Sequence, residues 1–332
     1  MLTDTYKRKH DYLRVSITDK CNLRCRYCMP PEGVELLPHG QVLRNEEFVR
    51  LIGIFVSMGV VKVRFTGGEP LVRKGFIDIV SRTRSSHPAL ELCLTTNGIL
   101  LGDYIDGLRS LGVRKLNISL DTISRERYRA ITMQDGLAGV LSAIDRALDS
   151  DFFDVKVNAV LFRETIDELD EYLDYFRERD VTVRFIEKMP FVTEETGGSF
   201  LSSDVLVEEL RARGEMKRNT GIDTNVALMY DYLYRGRYPM KIGVIPPLTQ
   251  KFCSACNRLR ITSDGYLKTC LHSSVDHDLK RLLREGADDD GVRAEIVRAV
   301  AEKGEGHSLD CDHDDGGCSV RPRSRFMSKI GG

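Results

Sequence analysis

The sequence contains 332 residues, which is enough for one large domain or two. Its 49 Lys and Arg residues nearly balance its 50 Asp and Glu residues, so the overall charge does not indicate a protein that binds nucleic acid. No apolar run approaches the roughly 18 residues of a membrane span, and the polar N-terminal segment lacks the apolar core of a signal peptide. Nine cysteines, six of them in two tight groups, favour metal ligation in a reducing cytoplasm over a disulfide framework.

Short strands and amphipathic helices alternate through residues 13–187. The predicted strands are 13–17, 61–66, 91–96, 115–120, 155–161 and 181–187. The predicted helices are 45–58, 75–83, 104–111, 137–148, 166–179 and, after the sixth strand, 203–213. Six strands that alternate with helices predict parallel βα units. Residues 222–250 are rich in Tyr and Pro and are predicted to be irregular or to form short strands.

Four of these strands have one polar face. Lys62, Arg64 and Thr66 alternate with apolar residues in the second strand, and Lys156 and Asn158 do so in the fifth. A parallel sheet covered by helices on both faces would be nearly all apolar, whereas a barrel can have a polar inner face when its lumen holds a ligand. The pattern favours an open or partial barrel with a functional lumen. Four half-exposed strands of an ordinary sheet are the alternative.

Three cysteines, Cys21, Cys25 and Cys28, follow the first strand in a C-x3-C-x2-C arrangement. Thiolates grouped on one loop suit an iron–sulfur cluster or zinc. Three ligands are one fewer than a closed structural site needs, so a cluster held here would keep one iron open. A zinc knuckle with a distant fourth ligand, or thiols without a metal, are the alternatives.

This cysteine group, with Tyr27 before its third member, resembles the signature of the radical S-adenosyl-L-methionine (SAM) enzymes. The resemblance implies a 4Fe-4S cluster whose open iron binds SAM and cleaves it to a 5'-deoxyadenosyl radical. Residues 66–70, TGGEP, resemble the GGEP motif of that family, which implies that Gly68 contacts the SAM amino group. By the same resemblance, Tyr27 lines the SAM pocket, Ser119 contacts the SAM carboxylate or ribose region, and Met189 packs against SAM. Taken singly, these would be ordinary turn, cap and core residues.

A second group, Cys253, Cys256 and Cys270, has C-x2-C-x13-C spacing and is again one ligand short. A structural zinc site completed by His272 is one interpretation, and a second cluster with an open iron is the other. Arg258 and Arg260 stand beside the group, where guanidiniums suit bidentate binding of phosphate. A solvated basic turn is the simpler interpretation of these arginines.

Over essentially its whole length the chain resembles the GTP 3',8-cyclases of molybdenum cofactor biosynthesis. The shared motifs are LRVSITDKCNLRCRYCMP, VRFTGGEPLVR, LTTNG, LNISLD, VKVN, RFIEKMP, NRLR and the terminal Gly-Gly. The resemblance implies an α/β fold: an incomplete (β/α)6 barrel over residues 1–220 and a C-terminal extension over residues 221–332 that carries a second 4Fe-4S cluster. It implies a radical SAM lyase that removes hydrogen from the ribose 3' carbon of GTP and joins that carbon to guanine C8.

The resemblance also implies particular residues and partners. The expected ligands of the second cluster are Cys253, Cys256 and Cys270. The expected GTP site consists of Arg14, Arg64, Thr95, Lys156, Arg258, Leu259 and Arg260. Arg258, Arg260, Gly331 and Gly332 are the expected catalytic residues. The expected partners are GTP, a reductant protein and the cyclic pyranopterin monophosphate synthase that takes the product, with no membrane or nucleic acid; a homodimer is left open.

Two features fall outside this resemblance. The segment with Cys311, His313 and Cys318 is predicted to be a solvated linker, with adventitious metal binding or a regulatory pair as alternatives. Cys93, on the third strand, is predicted to be buried and inert. Two other functions remain open on the residues alone: a peptide-modifying radical enzyme with auxiliary clusters, and a non-catalytic zinc or iron–sulfur protein.

Overall fold

The computed structural model describes residues 1–30, 32–189, 200–221, 226–307, 309–311, 318–319 and 326–331. Among these residues, one sheet consists of the strands β1 (Tyr12–Ser16), β2 (Lys62–Thr66), β3 (Glu91–Thr96), β4 (Lys115–Ser119), β5 (Asp154–Leu161), β6 (Thr182–Glu187), β7 (Gly214–Arg218), β8 (Leu228–Tyr234), β9 (Tyr238–Ile245), β10 (Arg258–Ile261), β11 (Tyr266–Lys268) and β12 (His277–Asp278). The pair β13 (Asp310–Cys311) and β14 (Cys318–Ser319) is separate.

The helices cover the connections between these strands. They are α1 (Asn45–Ser57), α2 (Phe76–Ser86), α3 (Leu101–Ser110), α4 (Arg125–Thr132), α5 (Leu137–Asp149), α6 (Arg163–Asp167), α7 (Leu169–Phe176), α8 (Ser203–Arg213), α9 (Leu279–Arg284), α10 (Asp289–Ala301) and α11 (Met327–Ile330). No helix of the described residues is long and apolar enough to cross a membrane.

Strands β1 to β6 are parallel and lie side by side in chain order. At both edges the sheet continues with strands from the second half of the chain: β10 pairs parallel with β1, and β9 pairs parallel with β6. The predicted incomplete (β/α)6 barrel with a C-terminal extension is therefore confirmed. The sheet is continuous across residue 220, and the division into residues 1–220 and 221–332 stays a prediction.

The two faces of the barrel sheet differ in polarity, because successive side chains of a strand point to opposite faces. The apolar face is buried under the helices and includes Leu13, Val15, Val63, Phe65, Leu116, Ile118, Val157, Val183 and Phe185. Each such side chain contributes about 1.5–3 kcal/mol of transfer free energy when it is fully buried. Helix α1 completes the layer with Phe48, Leu51, Ile52 and Phe55, which are the predicted apolar positions. The opposite face is the polar lumen.

Most predicted elements agree with the structure to within a few residues. The predicted helix 166–179 is instead two helices, α6 and α7, which meet at Glu168. Residues 222–250, predicted to be irregular or to form short strands, contain the antiparallel pair β8 and β9, whose strands have 7 and 8 residues. Helix α4 was not predicted. Its sequence RERYRAIT has too few apolar residues to show a clear helical period, and Tyr128, Ile131 and Thr132 are its buried positions.

The cysteines outside the two groups occupy different environments. Cys93 on β3 is fully buried, as predicted, and its thiol donates to a Glu91 carboxylate oxygen 3.5 Å away. Cys311 and Cys318 are directly opposite each other in the backbone register of β13 and β14. His313, between them, lies outside the described residues.

Candidate active site

The first cysteine group lies on the loop that follows β1, at the carboxyl end of the strand. The Cys28 amide donates to the Cys25 carbonyl at 2.8 Å, which closes a tight turn between these two ligand candidates. The Cys21 sulfur accepts from the Leu23 amide at 3.4 Å and from the Asn97 side chain at 3.8 Å. Burial raises the pKa of Cys21 to about 11 and raises the pKa of Cys25 well above its usual value. Such thiols need a metal to become thiolates at neutral pH.

The loop after β2 packs directly on this cysteine loop. A Cβ at Gly68 would overlap the Lys20 carbonyl oxygen. The close approach of the two backbones therefore requires glycine here, whether or not a ligand is bound. The Glu69 carboxylate accepts from the Thr96 hydroxyl at 2.8 Å and from the Asn97 amide at 2.7 Å. Burial raises the pKa of Glu69 to about 7 despite these hydrogen bonds. The carboxyl ends of β1, β2 and β3 are thereby tied together.

Tyr27 is fixed by a residue on the next part of the rim. Its hydroxyl donates to Asp121 at 2.8 Å, and Asp121 also accepts from the Val160 amide at 2.8 Å. Cys25, Tyr27, Ser119 and Asp121 line a small cavity beside the cysteine loop. Burial raises the pKa of Asp121 to about 6. The structure thus brings three predicted residues together, and it adds Asp121, which the motif LNISLD contains but to which no role was given.

Met189, the remaining residue predicted for the SAM pocket, follows β6 and is half-buried. Its position at the carboxyl end of the sixth strand places it on the same rim as the other strand-end residues, because all six strands are parallel.

Three arginines form a row across the lumen. In the register of the sheet, Arg260 of β10 is level with Arg14 of β1, and Arg14 is level with Arg64 of β2. The Arg64 guanidinium donates to the Tyr12 hydroxyl oxygen at 2.7 Å and to the Leu94 carbonyl at 2.6 Å, which fixes its direction. Neighbouring strands are about 4.8 Å apart, so the three charges belong to one site.

The polar row continues around the barrel. Thr95 is level with Asn117, Asn117 is level with Lys156, and Asn158 is level with Arg184 of β6. The Arg184 guanidinium donates to Asn158 at 2.9 Å, while its Nη2 is buried without a hydrogen-bond partner among the described residues. Arg184 is not among the residues expected to bind GTP. The structure brings it to the same lumen as the predicted cations.

Burial and the nearby positive charges lower the pKa of three of these guanidiniums. Burial, with the charges of neighbouring arginines, lowers the pKa of Arg14 and of Arg184 to about 10. Burial also lowers the pKa of Arg260 well below its usual range, and the charges of Arg14 and Arg258 add to this effect. Arginine remains charged even so. Binding of a polyanion would offset both the repulsion among these cations and the free-energy cost of burying them.

Two predicted GTP contacts need qualification. Leu259 is fully buried in the apolar core, so its side chain does not face the lumen and only its backbone can contact a ligand. The Lys156 ammonium donates to both carboxylate oxygens of Asp154, at 2.8 and 3.0 Å. Lys156 is on the lumen face as predicted, but a neighbouring carboxylate already holds it.

The second cysteine group lies at the other side of the row. The Cys256 amide donates to the Cys253 carbonyl at 3.2 Å, and Cys270 follows β11. Burial opposes ionisation of Cys256, but the charges of Arg258 and Lys303 outweigh it and lower the pKa of this thiol to about 7. Lys303 was not predicted, because it is 47 residues from Cys256 in the sequence.

Each of the two cysteine loops supplies three thiols. Within the part of the chain that the structure describes, no three His, Cys, Asp or Glu side chains converge on a point that could hold one metal ion. The ring of His272, the alternative fourth ligand of the second group, packs against the ring of His307, with 5.1 Å between the two centroids. The corners of a 4Fe-4S cluster separate its ligands more widely than one ion does.

The C-terminal tail enters the lumen beside the arginine row. The Gly331 carbonyl accepts from the Arg260 guanidinium at 2.7 Å. Gly331 has a φ of +85°, and a Cβ there would lie 2.5 Å from the Thr66 hydroxyl and 2.9 Å from the Ser16 Cβ. Only glycine fits this position without strain. The structure thus brings Gly331 to the predicted site, and Gly332 lies outside the described residues.

A partial βα barrel with three cysteines on the loop after its first strand defines a radical SAM protein, the class that binds SAM and a 4Fe-4S cluster. Residues 15–176 match the radical SAM superfamily, and residues 181–309 match the family described as Molybdenum Cofactor Synthesis C. The chain is 39% identical to the GTP 3',8-cyclase of Limosilactobacillus fermentum, over 100% of this chain and 99% of that protein. The GTP 3',8-cyclase of Heliobacterium modesticaldum is also 39% identical, with 100% of both chains covered. The chain belongs to the GTP 3',8-cyclase family.

A eukaryotic protein and two solved structures extend the comparison. Molybdenum cofactor biosynthesis protein 1 of Dictyostelium discoideum is 39% identical over 93% of this chain and 49% of that protein. Streptococcus suis SuiB bound to S-adenosylmethionine has a TM-score of 0.60 at 14% identity, covering 86% of this chain and 68% of SuiB. The enzyme anSMEcpe with bound AdoMet has a TM-score of 0.51 at 19% identity, covering 60% of this chain and 56% of that chain. The two structures share the fold.

Proposed function

We propose that this chain is a GTP 3',8-cyclase, a radical SAM lyase that converts GTP to 3',8-cyclo-7,8-dihydro-GTP in molybdenum cofactor biosynthesis. The observation that carries the proposal is the row formed by Arg260, Arg14 and Arg64, which crosses the lumen between the two cysteine groups. A buried row of this kind suits a triphosphate. Family membership and the names of the full-length relatives support the same reaction.

The first cysteine loop is proposed to hold the cluster that acts on SAM. Cys21, Cys25 and Cys28 would ligate three irons, and when bound the cluster supplies the electron that cleaves SAM to the 5'-deoxyadenosyl radical. The chain shapes the pocket around it. Tyr27 is oriented by its hydrogen bond to Asp121. The backbone at Gly68 and the side chains of Ser119 and Met189 are proposed to border the SAM site, and Ser119 lines the same small cavity as Tyr27.

The second cysteine loop is proposed to hold a further 4Fe-4S cluster through Cys253, Cys256 and Cys270. Its open position would face the guanine end of GTP. The phosphates would then lie against the cations of the lumen. These cations and the neutral contacts proposed with them are Arg14, Arg64, Thr95, Lys156, Arg258, Leu259 through its backbone, Arg260 and, from the structure, Arg184.

This placement sets the geometry that the reaction needs. With the base at one cysteine loop and SAM at the other, the ribose lies between them, and its 3' carbon can face the SAM 5' carbon. A primary carbon radical abstracts hydrogen from weaker C–H and S–H bonds within reach, so the site must keep other side chains away from the radical carbon. Gly331, which approaches Arg260 from the chain terminus, is proposed to close the lumen, and Gly332 is proposed to act with it.

The cellular compartment and the protein partners are proposed from the chemistry of the site. Thiols that serve as cluster ligands need a reducing compartment, so we propose that the protein works in the cytoplasm. A reductant protein is proposed to load the first cluster with an electron, and cyclic pyranopterin monophosphate synthase is proposed to take the product. The sequence and structure leave a homodimer open.

An anaerobic turnover assay tests this function. Reconstituted protein is incubated with SAM, GTP and dithionite, and the products are identified by mass spectrometry, with ATP as the matched control nucleotide. We expect 5'-deoxyadenosine together with a cyclised product that is an isomer of GTP, since the hydrogen lost from the ribose is balanced by the electron and proton added on reduction. Chromatography separates this product from GTP of the same mass, and ATP is expected to give no corresponding product. SAM cleavage without any GTP-derived product would refute the cyclase and redirect the search to peptide substrates. Absence of SAM cleavage from protein that holds both clusters would refute the enzyme class.

A further inference from the structure

Lys303 is a buried cation beside the second cysteine group. Its side chain is 4% exposed, and its ammonium donates to the Cys256 sulfur at 3.6 Å and to the Arg258 carbonyl at 3.1 Å. Neither partner is a carboxylate. Burying an ammonium without a neutralising acid costs several kcal/mol unless another negative charge is present. Burial lowers the pKa of Lys303, and the acidic groups that oppose this effect are Cys256 and Cys270, which would be thiolates as ligands of the proposed cluster.

The chain fixes the segment that carries Lys303. The Arg8 guanidinium donates to the carbonyls of Gly304 at 2.7 Å and Glu305 at 2.6 Å, and also to the Cys253 carbonyl at 2.9 Å. One side chain from the N-terminal segment therefore binds both the cysteine loop and the segment after α10. Asp4 in turn holds Arg8 through a buried ion pair at 2.6 Å. The position of Lys303 relative to the sulfurs is thus set by a network.

The other charges of this network cancel. Asp4 and Arg8 form a neutral pair. His10 contacts Asp4 at 3.0 Å, and burial together with the Lys303 charge lowers the pKa of His10, so its ring is neutral at pH 7. Lys303 is left as the net positive charge of this network, and it acts on Cys256 together with Arg258. A Cβ at Gly306 would lie 3.6 Å from the Cys253 sulfur, so the same segment passes close to a second ligand.

We propose that Lys303 is a positioning residue for the second cluster, which sets the reduction potential of that cluster by donating a charged hydrogen bond to the Cys256 thiolate. The inference rests on the proposed second cluster. Reduction adds one negative charge to the cluster, and a buried cation at hydrogen-bond distance from a ligand sulfur stabilises the reduced form. Hydrogen bonds to sulfur and local charge are among the factors that tune such potentials.

The test isolates the second cluster in the full chain. Replacing Cys21, Cys25 and Cys28 together by Ala removes the first cluster, and an anaerobic redox titration followed by electron paramagnetic resonance then reports one centre. Lys303→Met is compared with the unmodified lysine in this background. Lys303→Arg keeps the charge, and Lys241→Met is the matched control, because Lys241 is an exposed lysine of β9. No GTP turnover is needed for this readout.

At a fixed solution potential, we expect Lys303→Met to lower the ratio of reduced to oxidised cluster about tenfold. For one electron, this corresponds to a reduction potential about 59 mV lower. We expect Lys303→Arg and Lys241→Met to remain close to the parent. A Lys303→Met potential equal to that of the parent would overturn the inference and leave the proposed function intact. If the parent holds no second cluster, the cluster assignment fails and the inference fails with it.

A neutral variant that keeps a hydrogen-bond donor provides a second test in case Lys303→Met does not bind the cluster. If Lys303→Met binds no iron, Lys303→Gln is titrated instead, because its amide can still donate to the Cys256 sulfur without carrying charge. We expect its potential to lie below that of the parent. A Lys303→Gln potential equal to that of the parent would overturn the role of the charge.

Discussion

The two cysteine loops have similar ligands and opposite electrostatic surroundings. Near the first loop, buried acids add to the effect of burial: the charges of Asp121 and Glu69 help raise the pKa of Cys25 and of Cys21 respectively. Near the second loop, cations dominate, and the pKa of Cys256 falls to about 7 in spite of burial. Spacing alone would not distinguish these loops, because each provides three thiols.

This difference agrees with two separate roles. Negative charge around a cluster disfavours a further electron, so the cluster on the first loop is expected to be the stronger reductant, as cleavage of SAM requires. Positive charge around the second loop favours an anionic ligand near it, as binding of a nucleotide requires. Substitutions at the two loops and in the lumen between them can separate these roles.

The largest expected effect comes from removing one ligand at each loop in turn. Cys25→Ala is expected to abolish SAM cleavage, because no cluster then reaches SAM. Cys256→Ala is expected to keep SAM cleavage and to abolish the cyclised product. Iron content and 5'-deoxyadenosine are measured for both variants. SAM cleavage by a Cys25→Ala chain would contradict the assignment of the first loop.

Arg258→Ala is expected to remove a charged contact to GTP and to leave the SAM site untouched. Truncating one partner of a buried charged pair costs about 2–5 kcal/mol, so GTP affinity should fall by at least roughly thirtyfold. Binding calorimetry with GTP and SAM cleavage without GTP provide the two readouts. Arg82→Ala is the control, because Arg82 is an exposed arginine of α2 that pairs with Asp78.

Arg260→Ala should also weaken GTP binding and leave SAM cleavage intact. It should in addition release the C-terminal tail, because the Arg260 guanidinium donates a hydrogen bond to the Gly331 carbonyl. For either arginine, a folded variant with both clusters loaded that no longer cleaves SAM would contradict the separation of roles.

Gly331→Ala is expected to displace the tail from the lumen, because its Cβ would collide with Thr66 and its φ is unfavourable for alanine. Overpacking of this kind costs about 1–3 kcal/mol, so formation of the cyclised product should fall roughly five- to hundredfold while both clusters stay loaded. Gly139→Ala on α5, where no atom lies within 4 Å of the added Cβ, is the matched control.

Removing Gly331 and Gly332 together should have a larger effect than Gly331→Ala and should again leave both clusters intact. An active truncated chain would disprove the role of the tail in closing the site.

Asp154→Asn is expected to have the smallest effect, and its sign is a gain. The carboxylate of Asp154 holds the Lys156 ammonium through two hydrogen bonds, and GTP must compete for that ammonium. Partly exposed ion pairs are worth about 0.2–1 kcal/mol, so GTP affinity should rise up to roughly fivefold. Asp180→Asn, at a strongly exposed acid, is the control in the same calorimetric measurement. Unchanged or weaker binding would remove Lys156 from the proposed phosphate contacts.

The sequence predicted the local features of this protein well. Short-range spacing predicted both cysteine groups, the strand that ends in the first of them and the polar strand faces. Spacing is sufficient for these features because neighbouring residues in a strand point to opposite faces. The helices of the barrel followed from apolar periodicity wherever enough apolar residues were present, as in α1 and α5. Helix α4, with a polar sequence, had no such signal.

The residues that the sequence missed owe their roles to distant partners. Asp121 acquires its role from Tyr27, 94 residues away, and Lys303 acquires its role from Cys256, 47 residues away. Leu259 was assigned to GTP by its place in a motif, but strand alternation turns its side chain into the core. Motif membership does not state which face of a strand a residue occupies in the folded chain.

The sequence by itself determined two three-cysteine metal sites on a barrel with a polar lumen, because ligand number, ligand spacing and strand polarity are properties of short segments. The class of protein followed from the resemblance of its motifs to those of a known family. Only the tertiary structure decided how the site is assembled. Pairing of β10 with β1 makes Arg260 level with Arg14, and docking of the tail brings Gly331 against Thr66. The physical reason is that the pairing of β10 with β1 and the docking of Gly331 against Thr66 join segments more than two hundred residues apart in the sequence. Such contacts are selected by packing of the whole barrel, and no short stretch of sequence contains them.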